Sequence, residues 1–237
     1  MTAPEAGRPA VVLLSGGLDS TTVLAIATRE ARQRVHALSF AYGQRHSHEL
    51  GYAALQASRF GVVAHEVVDL GALGRLVAPS TSLVTDSELT VPSAAAREGH
   101  DDIPTTYVPA RNTVFSSYAL AWAEVLGARD IWIGVNAVDY SGYPDCRPEF
   151  IAAFEAMARL AIKDGAGLRL RAPLIELHKH EIIARGIGLG VDYADTTSCY
   201  DPTEVDGVGL ACGRCESCVL RRQGFVRAGV DDPTRYL

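Results

Sequence analysis

Ser15-Gly16-Gly17-Leu18-Asp19-Ser20 is the stretch of this chain whose residue types and spacing could best do chemistry. It follows the apolar run Ala10–Leu14 and precedes Thr21–Ala27, so it reads as the turn between a buried strand and a helix. Backbone N–H groups point outward at such a turn, and the helix dipole favours negative charge there. Gly16 and Gly17 let the main chain approach a phosphate, and Ser15 and Ser20 add hydroxyl donors. Asp19 suits a metal ion or a helix cap, and the two roles are compatible. The turn lacks G-x-x-x-x-G-K-[ST] and G-x-G-x-x-G, so it is neither a Walker-type loop nor a dinucleotide fingerprint. A plain glycine turn capped by serine is the alternative reading.

Cysteines form the second constellation. Cys199, Cys212, Cys215 and Cys218 lie close in sequence, and the last three are spaced C-x-x-C-x-x-C. Four thiolates make a closed tetrahedral set for a structural Zn²⁺. A short segment with little apolar content gains folding free energy from such an ion. An iron–sulfur cluster uses the same ligand number, and four free thiols are the remaining alternative. Cys146 is left over and reads as a small buried residue beside a site.

The elements that must position these groups alternate. Strand-like runs at Val35–Phe40, Val62–Leu70, Asp130–Val135 and Leu168–Leu174 are interleaved with helical patterns at Glu49–Phe60, Thr113–Leu126, Glu149–Lys163 and His178–Leu189. That order predicts an α/β fold, a Rossmann-like parallel sheet with helices on both faces, and ligands at the carboxyl ends of its strands. Gly71–Thr106 has weak periodicity and reads as an irregular, partly mobile excursion, a lid. Residues 1–192 would form the nucleotide and substrate domain. Residues 193–237 would form a small zinc-binding helical module.

The 237 residues are 48% hydrophobic and 21% charged, with a formal net charge of −6. An acidic balance argues against gripping a nucleic-acid backbone. No apolar run approaches the roughly 18 residues of a membrane span, and no signal-peptide core precedes the first strand. The expected setting is cytoplasmic, with no nucleic-acid or membrane partner.

Ser-Gly-Gly-x-Asp-Ser resembles the pyrophosphate-loop signature of ATP pyrophosphatases, which cleave ATP between the α- and β-phosphates. Further stretches narrow the resemblance: Ser39–His46, Thr106–Thr113, Gly134–Phe150, Ser198-Cys199-Tyr200 and the cysteine spacing. With them the chain resembles the 7-cyano-7-deazaguanine synthase family from Val11 to about Gly229. It departs from that pattern at Thr197, where the family usually has Trp, at His178-Lys179-His180-Glu181, and in the longer gap between Cys199 and Cys212.

The resemblance implies an ATP-dependent ligase acting on 7-carboxy-7-deazaguanine. The carboxylate attacks the α-phosphorus of ATP and pyrophosphate leaves. Ammonia displaces AMP and gives an amide. A second ATP activates the amide oxygen, and loss of AMP leaves the nitrile. ATP, Mg²⁺ and a structural Zn²⁺ on Cys199, Cys212, Cys215 and Cys218 are the implied cofactors, and a homodimer the implied assembly. Leu14, Ser15, Gly16, Gly17, Leu18, Asp19, Ser20, Thr21, Phe40, Gln44, Arg111, Asn112 and Gly134 would bind ATP. Ser15, Asp19, Ser20, Arg111, Lys163 and Lys179 would carry the catalysis, which is positioning plus charge neutralisation. Asn136, Asp139, Tyr140, Tyr143, Asp145, Arg147 and Phe150 would hold the substrate.

Each role has a bland counterpart. Phe40 is equally a core residue. Lys163 and Lys179 are equally solvated. An Arg at a helix start opposes the dipole, so Arg111 points to an anion. Asp139 or Asp145 suits the donor edge of a deazaguanine, Arg147 its carboxylate, and Tyr140, Tyr143 or Phe150 its ring face. His46 with His48 and His178 with His180 read as solvated, because i, i+2 spacing splits them between helix faces. Arg214, Arg221, Arg222 and Arg227 read as a solvated basic face of the C-terminal helix. Three alternatives stay open: a relative that stops at the amide or adenylate and transfers the deazapurine to a protein, a tRNA-modifying relative, and a nucleotide-binding module without chemistry.

Overall fold

A computed structural model describes residues 4–45, 48–97, 102–138, 142–205 and 208–237. The first apolar run forms β1 (Pro9–Leu13) at the centre of a five-stranded sheet. β2 (Arg34–Ala41) and β4 (Asp130–Trp132) pair with it on either side, and β3 (Ala64–Asp69) and β5 (Arg169–Arg171) flank them. The order is β3-β2-β1-β4-β5 and every pairing is parallel.

Side chains alternate across β1 and divide the core. Val11 and Leu13 pack with Ala119, Leu120 and Ala123 of α4 (Arg111–Leu126) and with Phe154 and Ala158 of α5 (Pro148–Ala161). Ala10, Val12 and Leu14 pack on the other face. There they meet α1 (Leu18–Ala25), α2 (His48–Arg59), α6 (Lys179–Gly188) and α7 (Glu216–Ala228). Both faces of the parallel sheet are thus covered, as such sheets require. Phe225 of α7 is buried in this second cluster, so the C-terminal helix packs directly on the sheet domain.

The sheet strands β4 and β5 are shorter than their apolar runs. The chain beyond β4 stays near β5, with Ile133 N–H donating to the Arg171 carbonyl. The described part of the Gly71–Thr106 excursion holds more regular structure than its weak periodicity predicts. It opens with α3 (Gly71–Val77), whose two glycines hide its helical tendency. Gly74 is required there, because a Cβ would collide with the Tyr42 carbonyl oxygen. Farther on, Thr81, Ser82, Leu83 and Val84 are buried. Arg45 pins that segment by donating to the carbonyls of Ser82, Ser87 and Leu89 at 2.9, 2.7 and 3.2 Å. The C-terminal segment holds, besides α7, a hairpin of β6 (Thr203–Val205) and β7 (Val208–Leu210). No described helix is long and apolar enough to cross a membrane.

Candidate active site

The order of the sheet reverses between β1 and β4, and their carboxyl ends open a crevice of about 220 Å³. The turn after β1 forms its floor. Gly16 takes φ +84°, and a Cβ there would collide with the Glu49 carbonyl of α2. Gly17 lies against residue 197, where a Cβ would come 3.2 Å from the Thr197 carbonyl oxygen. Ser20 Oγ accepts from Ser15 N–H at 3.2 Å and meets Ser15 Oγ at 3.0 Å. The two hydroxyls therefore sit together at the mouth of α1.

Lys179, in the first turn of α6, reaches this loop. Its Nζ lies 2.9 Å from both carboxylate oxygens of Asp19. The Lys179 side chain is only 7% exposed, so its charge is held inside the crevice against the Asp19 carboxylate. Its stem runs past Gly224 of α7, where a Cβ would sit 2.6 Å from Lys179 Cγ. The helix start that presents it is a capping box. Glu181 Oε2 accepts from His178 N–H at 2.8 Å, and the His178 side chain accepts from the Glu181 backbone.

Opposite stands Arg111 at the start of α4. Ala110 before it adopts a left-handed φ of 53°, a strained conformation for a residue with a Cβ. Burial alone would make the Arg111 guanidinium easier to deprotonate, but the Tyr42 hydroxyl and the Asp145 carboxylate beside it push its pKa up instead. The same burial pushes the Tyr42 hydroxyl up. Asp145 Oδ2 accepts from Asn112 N–H at 2.9 Å, and Asn112 Nδ2 donates to the Asp145 carbonyl at 3.0 Å. This clamp offsets the cost of a cation at a helix N-terminus. Cys146 lines the crevice next to it, and burial, with Asp145, pushes its thiol up to about 12.

One wall is aromatic. Phe40, at the end of β2, stacks on Phe115 of α4 with ring centres 3.9 Å apart. Tyr143 completes another side, its hydroxyl 2.7 Å from Thr106 Oγ1.

The structure thus brings Leu14, Ser15, Gly17, Leu18, Asp19, Ser20, Phe40, Arg111, Asn112, Gly134, Asn136, Tyr143 and Lys179 to one crevice. Gly16 and Thr21 lie behind the loop, Thr21 fully buried. Gln44 is also buried and supports the β2 end, accepting from Tyr42 N–H at 2.8 Å and donating to the Phe40 carbonyl at 2.9 Å. Lys163 is exposed beyond the end of α5, where its N–H donates to Glu124, and does not reach the crevice. Arg147 is exposed at the N-cap of α5, and Phe150 packs on Phe154. Asp139, Tyr140 and His46 lie outside the described residues. His48 pairs with Glu204 at 3.1 Å, and the His178 and His180 rings stack.

Several crevice residues carried no signal of a role in the sequence: Tyr42, Glu49, Phe115, Ser198, Tyr200 and Arg221. Arg221 corrects the reading of α7 as a wholly solvated basic face. Arg214, Arg222 and Arg227 are exposed, but Arg221 is 2% exposed.

The cysteine set also converges. The ligand atoms of Cys199, Cys212, Cys215 and Cys218 all lie within 4.8 Å of one another. The N–H groups of Asp201 and Cys212 aim at Cys199 Sγ at 3.3 and 3.2 Å, and Cys215 N–H at Cys212 Sγ at 3.4 Å. N–H donors on sulfur stabilise thiolates, so the set suits a metal ion.

A sequence profile described as queuosine biosynthesis protein QueC matches residues 9–229. The chain belongs to the QueC family. It is 60% identical to a protein of Thiobacillus denitrificans named 7-cyano-7-deazaguanine synthase, over 96% of this chain and 97% of that one. It is 58% identical to a protein of the same name from Methylococcus capsulatus, over 97% and 99%. The NMN synthetase structure from Francisella tularensis shares the fold, with a TM-score of 0.50 at 18% identity over 97% of this chain and 79% of that one.

A thiol with a pKa near 12 is protonated throughout the neutral range. Iodoacetamide at neutral pH is therefore expected to leave Cys146 unmodified in the folded protein, as read by peptide mass spectrometry. Rapid labelling of Cys146 would contradict its surroundings.

Proposed function

We propose that this chain converts 7-carboxy-7-deazaguanine and ammonia into 7-cyano-7-deazaguanine, consuming two ATP and releasing two AMP and two pyrophosphates. Its near-full-length identity to proteins named for that synthesis carries the reading. The crevice supports it with an anion-binding turn and two cations, Arg111 and Lys179, over a partly apolar floor.

A carboxylate is a poor acceptor for ammonia, because oxide is a poor leaving group. Adenylation turns that oxygen into part of a phosphate ester anhydride, and AMP then leaves. The amide oxygen is activated in the same way by the second ATP, and its departure as AMP with loss of two N–H protons gives the nitrile. The protein's part is to hold the reacting groups and stabilise the charge that builds on the departing pyrophosphate. Ser15, Gly16, Gly17 and Ser20 would cradle that pyrophosphate with N–H and hydroxyl donors. Lys179 would shift from Asp19 to the phosphate oxygens, which frees the Asp19 carboxylate. Asp19 would then be free to hold Mg²⁺, which would supply neutralisation of the triphosphate. Arg111 would face an anionic oxygen of nucleotide or acid, in place of the exposed Arg147. The Phe40–Phe115 stack offers a surface for the adenine. Zn²⁺ on the four cysteines supplies folding free energy to the C-terminal segment. Cytoplasm, where such thiolates stay reduced, is the proposed setting.

We also infer a homodimer. Tyr118 and Val125 of α4 and Met157 and Leu160 of α5 are exposed on helices that cover one sheet face, with Leu160 at 90% and Val125 at 82%. Leu160→Glu is expected to shift the sedimenting species from dimer to monomer. A wild-type monomer at micromolar concentration would overturn the assembly.

The enzymatic reading is tested by incubating the protein with the acid, Mg·ATP and ammonium and identifying products by mass spectrometry. The nitrile with AMP and pyrophosphate is expected; substrate-independent or absent AMP would overturn it. Lys179→Ala should lower kcat/KM by roughly 10²–10³, as for loss of one charge-stabilising donor. Lys163→Ala should stay within about twofold, as for an exposed side chain.

A further inference from the structure

Arg221 is a full positive charge in the protein interior, 2% exposed, on a helix that carries metal-ligating cysteine chemistry rather than the nucleotide loop. An isolated buried charge is costly, and retaining one needs paired and hydrogen-bonded surroundings. Those surroundings answer four of its five N–H donors. Nε donates to Asp232 Oδ1 at 3.2 Å. One terminal nitrogen donates to Thr196 Oγ1 at 3.0 Å and Ser198 Oγ at 3.3 Å, and the other to the Tyr193 carbonyl at 2.9 Å. The guanidinium lies 5.2 Å from the Phe225 ring centre. Burial would push the Asp232 carboxyl up, but Tyr236, Thr234 and Arg221 outweigh it and hold it below the usual carboxylate range.

Three of these contacts grip one stretch of chain, 193–198, and that stretch is the wall of the nucleotide turn. Thr197 N–H, between the two hydroxyls held by Arg221, donates to the Gly16 carbonyl at 3.2 Å. The Thr197 carbonyl is the atom that a side chain at position 17 would crowd. The same stretch is tied to α1 through Tyr193 and Thr22, whose hydroxyls are 2.7 Å apart, and to α2 through Gln56, which donates to the Asp195 carbonyl at 2.7 Å. Arg221 is thus the group that joins α7 to the anion-binding turn through one residue of intervening backbone.

We propose that Arg221 is a positioning residue of the ATP site: through Thr196 and Ser198 it holds Thr197 against Gly16 and so fixes the direction of the N–H groups of the turn. Lysine cannot reproduce this, since an ammonium is a point donor and the fork that spans Thr196, Ser198 and Tyr193 is planar and rigid. Thr197 itself acts by its main chain. The inference rests on the reading of the turn as a pyrophosphate site.

The test compares calorimetric binding of pyrophosphate and of AMP to wild type, Arg221→Lys and Asp232→Asn, with bound metal measured on each sample. AMP lacks the β- and γ-phosphates and serves as the internal control. Expected is pyrophosphate binding weakened by roughly tenfold in Arg221→Lys and by less in Asp232→Asn, with AMP affinity and metal content unchanged. Unchanged pyrophosphate affinity in both variants would overturn the proposal, as would parallel loss of pyrophosphate, AMP and metal binding in both. Failure of wild type to bind pyrophosphate would overturn the site reading, and the positioning role with it.

Discussion

The constraint on which the structure depends is the reversal of strand order between β1 and β4. Helices leaving the two central strands go to opposite faces of the sheet, so no connection can fill the space above those strand ends. The chain meets that space with a turn of small residues, Ser15-Gly16-Gly17, and with two cations, Arg111 and Lys179. Gly16 is irreplaceable for two separate reasons, a positive φ and a carbonyl of α2 where a Cβ would lie.

The two cations of the crevice are held in different ways. Asp19 and Lys179 neutralise one another across the turn, while Arg111 feels the Tyr42 hydroxyl and the Asp145 carboxylate. The two arrangements differ in consequence. Asp145 is also committed to the Asn112 N–H, so Arg111 stays fixed at the start of α4. Lys179 reaches Asp19 from the end of a flexible stem, and a phosphate offers it a partner of higher charge. A buried ion pair contributes little net stability, so exchanging one anionic partner for another is cheap relative to creating the charge afresh.

What could be read in the sequence followed from range. The turn, the parallel α/β order, the cysteine quartet and the unfavourable placement of Arg111 at a helix start are local patterns, and the described structure bears out that fold and brings those groups together. Lys163 and Lys179 looked alike in sequence; only the packing of α6 against α1 and α7 sends one into the crevice and leaves the other beyond α5. Arg221 sits among exposed arginines on a helix with no clear apolar stripe, and its burial comes from a carboxylate eleven residues later and a segment more than twenty residues earlier. Tyr42 is buried in the core and Phe115 packs against it, and both also wall the crevice. The helix at Gly71–Val77 was hidden by its two glycines, of which packing demands Gly74.

The central claim is that this crevice splits ATP between its α- and β-phosphates by transfer to the carboxylate of the deazaguanine. The most direct measurement is exchange of radiolabelled pyrophosphate into ATP, with the acid present and ammonium withheld. The account predicts exchange that depends on the acid and is abolished in Lys179→Ala. Formation of ADP and orthophosphate, or exchange indifferent to the acid, would contradict it.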